Sequence, residues 1–359
     1  MQPLAHVAVV IPVRNSQRTI GACVESMLEQ DCPGLQSIFI VGNSDDQDTT
    51  WKALEHLEDR SKVHCIKVSR PASWSGRDAN WKRFVGCEAA TNAGADIIAL
   101  ADSQIFAPRT WLSSSLELMQ KHNVDSVAGI SRRHPHDHSL SGLYQDGSLF
   151  SEWPRYGKTF FFSKKTIGKA RGFPITASLL ISREVFESVR GRWPINCTYD
   201  WDDFRLAWEI VLKGFTILCT DTICVYRNHK RRFRWVKQIS AGAGALLFHR
   251  DNPHCGYTKQ LMVKAILFTV CLAGTLLVSI TSFATAGLAE LSVLLSVVCL
   301  GLAPFSILSV IKARDLRALL FPLLDVTHIG LWVVGVVYTL LNKGNMSPAI
   351  SDLLVKLRQ

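Results

Sequence analysis

The chain has 359 residues, with 40 Lys and Arg against 30 Asp and Glu, a formal net charge of +10. That length fits one large domain with extra elements, or two modest domains. Ten cysteines are scattered without close pairs, which excludes a disulfide framework and a zinc site of the usual spacing and fits reduced thiols in the cytosol.

Residues 1–12, MQPLAHVAVVIP, lack a charged n-region and a cleavage site. They read as a first strand and not as a signal peptide. The apolar run 7–13 ends at Pro12, followed by Arg14 and Asn15. Residues 16–30 then show helical spacing, with Ile20, Cys23, Val24, Met27 and Leu28 on one face. Asp31-Cys32-Pro33-Gly34 is a break. A second strand is predicted over 37–41, ending at Gly42-Asn43-Ser44-Asp45-Asp46, then a helix over 49–57, a strand over 63–68 and a helix over 83–90.

Residues 97–105, IIALADSQI, are apolar as far as Ala101 and then stop at Asp102. Such a run reads as a buried parallel strand. Alternating strands and helices predict a doubly wound α/β sheet. Ligands bind outside the carboxyl ends of its strands, where Asp102, Ser103 and Gln104 fall.

Apolar residues concentrate after about residue 260. Three nearly uncharged stretches, 261–283, 286–311 and 316–341, each reach the ~20 residues needed to cross a bilayer as a helix. Arg250, Lys259 and Lys264 flank the first; Lys312, Arg314 and Arg317 separate the second and third; 282–291 has no Lys or Arg. The positive-inside rule puts the N-terminal region in the cytoplasm and the tail outside if all three cross. Lys343, Lys356 and Arg358 in the tail leave a re-entrant segment as the alternative. The expected layout is residues 1–250, a transmembrane region 251–343 and a short tail 344–359.

The order of IPVRN at 11–15, MLEQDCPG at 27–34, SIFIVGNSDD at 37–46, DIIALADSQ at 96–104 and YDWDDFRLAWEIVLKGFTI at 199–217 resembles family 2 glycosyltransferases of the GT-A fold, over about residues 5–245. The resemblance implies an inverting transfer of a sugar from a nucleotide-sugar donor. In that family Asp102 takes the first place of the metal-binding Asp-x-Asp, and Gln104 the second. It implies a Mg²⁺ or Mn²⁺ cofactor, held more weakly by the neutral amide than by a carboxylate. Asp202 and Asp203 replace the family's Glu-Asp pair, with Asp203 as catalytic base and Asp200 as an alternative partner. The same acids at a helix start are also ordinary capping chemistry.

Pro12, Arg14, Asn15, Asn43, Asp45, Arg83 and Asp102 are the expected donor-binding residues. The family has an Asp at Gly42 that contacts the base; Asp45 or Asp46 would substitute. Arg77, Lys82 and Arg83 precede the Asp102 strand, where the family faces the diphosphate; for Lys82 the reading is solvated surface charge. Residues 227–237, RNHKRRFRWVK, combine positive charge with Phe233 and Trp235. They suit anionic lipid or a phosphate, and His229 is a further candidate metal ligand by resemblance. Residues 231–235 have the outline of the Gln-x-x-Arg-Trp motif of processive synthases with Arg in place of Gln, which favours single-sugar transfer. His134, His136 and His138 alternate within a polar segment and read as an exposed loop. Residues 144–176, aromatic and basic, are the expected acceptor loop.

Together these predict a membrane-anchored glycosyltransferase acting on a lipid-linked or glycan acceptor at the membrane lipids, with no nucleic-acid partner, since no reading module is recognisable. Gly42 and Gln104 leave a second reading open: a non-catalytic scaffold or nucleotide-binding pseudoenzyme on the same fold.

Overall fold

The computed structural model describes residues 5–44, 49–57, 60–69, 71, 78–148, 158–169, 172–193, 201–227, 237–286 and 303–341. They fall into two compact units, Met1–Asp137 with Trp153–Lys230, and His138–Glu152 with Arg231–Gln359.

In the first unit nine described strands share one sheet: β1 Val7–Pro12, β2 Leu35–Asn43, β3 Val63–Val68, β4 Ile97–Ala101, β5 Ile105–Phe106, β6 Ser126–Arg133, β7 Phe160–Phe162, β8 Ser178–Ser182 and β9 Ile217–Arg227. Their order is β3-β2-β1-β4-β8-β6-β9-β5, with β7 also on β9. β1, β2, β3 and β4 run parallel, whereas β8 is antiparallel to β4 and β6. The order reverses beside β1, so the crevice at the carboxyl ends of β1 and β4 is the switch point where a ligand is expected. Every residue of β1 is buried, as a strand covered on both faces requires. The expected doubly wound mixed sheet is therefore present.

Helix α1, Ile20–Leu28, buries Ile20, Cys23, Val24 and Met27, the face read from the spacing. Two local expectations change. The helix expected over 49–57 is a 3₁₀ segment, Lys52–Leu57. The strand expected over 97–105 stops at Ala101, because Ile105 N–H turns back onto the Asp102 carbonyl at 3.3 Å. Helix α2, Asp78–Asn92, lies tight against β1: a Cβ on Gly86 would collide with Val10 Cγ1. Helices α3, Trp111–His122, and α5, Arg183–Val189, cover the sheet, and α6, Asp202–Leu212, carries an acidic pair, Asp202 and Asp203.

The second unit is helical: α4 Leu140–Gly147, α7 Lys237–Asp251, α8 Gly256–Ala286, α9 Ala303–Ala313 and α10 Phe321–Leu341, with a 3₁₀ turn Leu316–Leu320 leading into α10. Gly242 and Gly335 let α7 and α10 cross at backbone contact, since a Cβ at either would run into Trp332 or Ile239 carbonyl oxygens. Asp325 is fully buried, and its Oδ1 accepts Tyr144 Oη at 2.7 Å and Ser148 Oγ at 2.8 Å. Lys312 Nζ donates to the Ser148 carbonyl.

The expected three-helix transmembrane region is corrected here. Among the described residues one helix, Leu316–Leu341, is long and apolar enough to cross a membrane, with 39% of its most apolar window buried. The expected span 261–283 lies inside the longer helix α8. Only part of 286–311 falls among the described residues, where α9 is a short apolar helix.

Candidate active site

The site grows from α2. Close packing at Gly86 sets α2 on β1, and one turn earlier Arg83 extends over the strand ends, its side chain 7% exposed. Arg83 Nη2 donates to Asp102 Oδ1 at 2.7 Å. Its Nη1 donates to Asp202 Oδ2 at 3.4 Å and lies 3.7 Å from Asp203 Oδ1. Asn80 Oδ1 accepts from the same nitrogen at 3.4 Å. One buried guanidinium therefore gathers three carboxylates from β4 and α6.

Each acid is set by its own local structure. Asp102 follows β4 and its turn is pinned on two sides. Ser103 Oγ and Ser16 Oγ share a hydrogen bond of 2.7 Å, and Cys23 Sγ donates to the Asp102 carbonyl at 3.4 Å. Asp202 and Asp203 open α6 behind Trp201, whose φ of 111° lies in the left-handed region that a bulky residue rarely adopts. Phe173 stacks on Trp201 at 5.9 Å and meets Phe204 edge-on at 5.2 Å. Thr176 Oγ1 donates to Asp203 Oδ1 at 2.7 Å, and its N–H donates to Oδ2 at 3.3 Å.

The charges are matched unevenly. Burial lowers the Arg83 pKa, but Asp102, Asp203 and Asp202 outweigh it and hold the guanidinium above its ordinary range. Burial pushes the Asp203 carboxyl up to about 6, helped by the Asp202 charge and opposed by Arg83; Asp102 adds to the rise and Thr176 reduces it. A carboxylate poised there accepts a proton more readily than an ordinary one.

The metal-fit question turns on oxygen donors. Asp102 spends Oδ1 on Arg83; its side chain is 37% exposed, and Oδ2 makes no hydrogen bond among the described residues. Gln104 lies two residues on in the same turn, half-buried. One carboxylate and an amide oxygen beside a diphosphate suit Mg²⁺ or Mn²⁺, which take substrate oxygens readily. Among the described residues no group of three His, Cys, Asp or Glu forms a cage of its own.

The remaining expected residues spread around this centre. Pro12 ends β1 and is buried, while Arg14 and Asn15 are exposed in the next turn, Asn15 at φ 49°. Asn43 ends β2, and its Nδ2 donates to Asp78 Oδ2 at 3.3 Å. Asp45, Asp46, Arg77, Asp200, His229, Arg231, Phe233 and Trp235 lie outside the described residues. Lys82 is not surface charge: it is 1% exposed, with Nζ donating to the Val13 carbonyl and pairing with Asp78, each at 2.7 Å. Gly42 has no room for an acid, since an added Cβ would stand 2.5 Å from Trp51 Cζ2 and 2.8 Å from Val13 Cγ2. His134 and His136 lie on the loop after β6, with His134 against Phe106 and Tyr226. Sequence reasoning gave no special role to Thr176, Asp78 or Trp51.

A mixed sheet with an acid at the end of β4, an acidic pair on α6 and an arginine joining them defines the GT-A class of nucleotide-sugar-binding fold. The chain belongs to glycosyl transferase family 2, whose sequence pattern matches residues 8–190.

Among solved structures, the chain resembles mannosyltransferase PcManGT from Pyrobaculum calidifontis in complex with GDP-Man and Mn²⁺. The TM-score is 0.54 and the identity 16%, over 90% of this chain and 88% of that one. It also resembles S. aureus TarS 1-349, with a TM-score of 0.50 and 13% identity over 95% and 92% of the two chains. At these identities the likeness is one of fold. The uncharacterized protein y4gI of Sinorhizobium fredii is 23% identical over 239 residues, 64% of this chain but 25% of the relative, so the match spans about a quarter of that relative's length.

Proposed function

We propose that the protein transfers a sugar from a nucleotide-sugar donor to an acceptor hydroxyl, with inversion. The observation that carries this reading is the convergence of Asp102, Asp202 and Asp203 on Arg83. Asp203 takes the acceptor proton as the hydroxyl oxygen bonds to the anomeric carbon and the bond to the nucleoside diphosphate breaks; a single displacement inverts that carbon. Asp102 and Gln104 would hold a divalent cation, which would supply charge neutralisation for the departing diphosphate. Arg83 keeps Asp102 and the α6 acids in register. The turns after β1 and β2, with Arg14, Asn15 and Asn43, take the nucleoside.

Residues 1–250 are read as the catalytic region and 251–343 as the membrane-attached one, with 344–359 a tail. Exposed apolar side chains support attachment: Ile266 on α8, Ile311 on α9, Leu316 in the 3₁₀ turn and Leu323 on α10 are each more than half exposed. The distribution of Lys and Arg supports a catalytic region on the cytoplasmic face. An acceptor that is lipid-linked, or a glycan at that surface, fits such an attachment.

The test is transfer by purified protein in detergent, with GDP-mannose, UDP-N-acetylglucosamine and other nucleotide sugars, Mn²⁺ and a membrane-lipid extract. Turnover with at least one donor, abolished in Asp203→Asn, is expected. No turnover that Asp203→Asn removes would sink the reading.

Trp51 over Gly42 favours one rival, a non-catalytic scaffold on the same fold. UDP and GDP with Mn²⁺ separate the two: a rise in thermal midpoint supports the enzyme, and no rise with either supports the scaffold.

A further inference from the structure

We infer that Phe173 and Thr176 form a clasp that orients Asp203, so that Thr176 is a positioning residue for the transfer reaction. This rests on the reading of Asp203 as the base.

The clasp has four contacts on one short stretch of chain. Phe173 covers Trp201 on one flank of the acidic pair and Phe204 on the other. Between those flanks, Thr176 gives one hydrogen bond to each oxygen of Asp203, through its hydroxyl at 2.7 Å and its N–H at 3.3 Å. Thr176 is 1% exposed, so water does not compete for its hydroxyl. A carboxylate held at both oxygens cannot swing about its χ2 axis. Each oxygen keeps a further acceptor site, because a carboxylate has about four lone-pair directions and Thr176 fills two.

Arg83 does not do this alone. Its nearest approach to Asp203 is 3.7 Å, beyond a hydrogen bond, and its closer partners are Asp102 and Asp202. Among the described residues the charged groups acting on Asp203 are Arg83 on α2, Asp102 after β4 and its neighbour Asp202. Thr176 is the group that aims it. The strained Trp201 backbone fits this division: it turns the start of α6 toward the clasp, and Phe173 holds the indole there.

Hydrogen bonds to the ionised form also make Asp203 easier to ionise. Loss of the hydroxyl then has two effects, looser aim and a higher base pKa. A merely structural threonine would produce neither.

The experiment compares Thr176→Val, Thr176→Ser and Asp203→Asn with the natural protein. Folding is controlled by thermal midpoint and by UDP and GDP binding. Thr176→Val keeps the shape and the N–H and loses the hydroxyl. Its kcat is expected to fall roughly 10- to 100-fold, the value of one hydrogen bond to a charged group, with the donor KM unchanged. The acid limb of its pH–kcat profile is expected to move up, and Thr176→Ser to restore both. A ¹³C-aspartate titration of the protein without donor should show the same upward shift in the Asp203 carboxyl resonance. Unchanged kcat and an unmoved carboxyl titration in Thr176→Val, beside an inactive Asp203→Asn, would overturn the clasp alone. Full activity in Asp203→Asn would overturn the base assignment and the clasp with it.

Discussion

Arg83 Nη2 and Asp102 Oδ1 meet at 2.7 Å, joining helix α2 to the end of strand β4 across the mouth of the switch point. Arg83 is buried, and its Nη1 faces the α6 acids. Removing it takes away the cation that joins the three carboxylates. Arg83→Met is expected to lose about 3–5 kcal/mol of stability, the usual result of breaking a buried pair from one side. Arg83→Lys should recover only part, because a point charge cannot reach both Asp102 and Asp202 as the planar fork does. Denaturant unfolding of the variants checks both values.

The raised Asp203 carboxyl makes activity and stability respond to pH in opposite directions. Turnover needs the ionised base, so it should climb with pH through about 6. Folding runs the other way. The folded carboxyl holds its proton more tightly than the unfolded one, whose ordinary value is 3.8. Its contribution to stability is full below about pH 4 and is lost as pH rises through about 6. The difference in unfolding free energy between the natural protein and Asp203→Asn, measured from pH 4 to 8, isolates that contribution; a flat difference would remove the assignment of the shift to this residue.

Several of these relationships are legible in the sequence. An apolar run stopping at Asp102 marks a strand end, and the order of the motifs pointed to Arg83, Asp202 and Asp203. Lys82 misled because a lysine on a helix is ordinarily solvated. Its burial is matched by the Val13 carbonyl, far away in sequence, and by Asp78 one turn earlier on the same helix. Thr176 carries no periodic signal, since its role depends on a turn brought against α6 by aromatic packing. The long apolar stretches after residue 260 read correctly as helical where described. Their number as spans did not follow: part of the second stretch lies outside the described residues, and among the described residues one helix has the length and apolar composition of a span.

Trp51 fills the space that a side chain at position 42 would need, and Gly42 is what admits it. Gly42→Ala should cost about 1–3 kcal/mol by overpacking against the indole and Val13 Cγ2. In a Trp51→Leu background the same substitution should cost clearly less, because the indole atoms it meets are gone. Thermal or denaturant unfolding of the four proteins gives the coupling directly. Equal costs in both backgrounds would place the obstruction elsewhere.

Two glycines of α10 face different surroundings and should respond oppositely to alanine. Gly335 lies where a Cβ would strike the Ile239 carbonyl of α7, whereas a Cβ on Gly330 meets nothing within 4 Å. Gly335→Ala must push α7 and α10 apart, and because backbone does not yield as a flexible side chain does, a loss of about 2 kcal/mol or more is expected. Gly330→Ala should be neutral or gain up to about 1 kcal/mol from helix propensity. Both variants keep the apolar character of the helix, so a difference between them reports packing alone. Thermal midpoints in one detergent decide the matter: equal behaviour of the two variants would mean that α7 does not press on α10 at Gly335 in the folded protein.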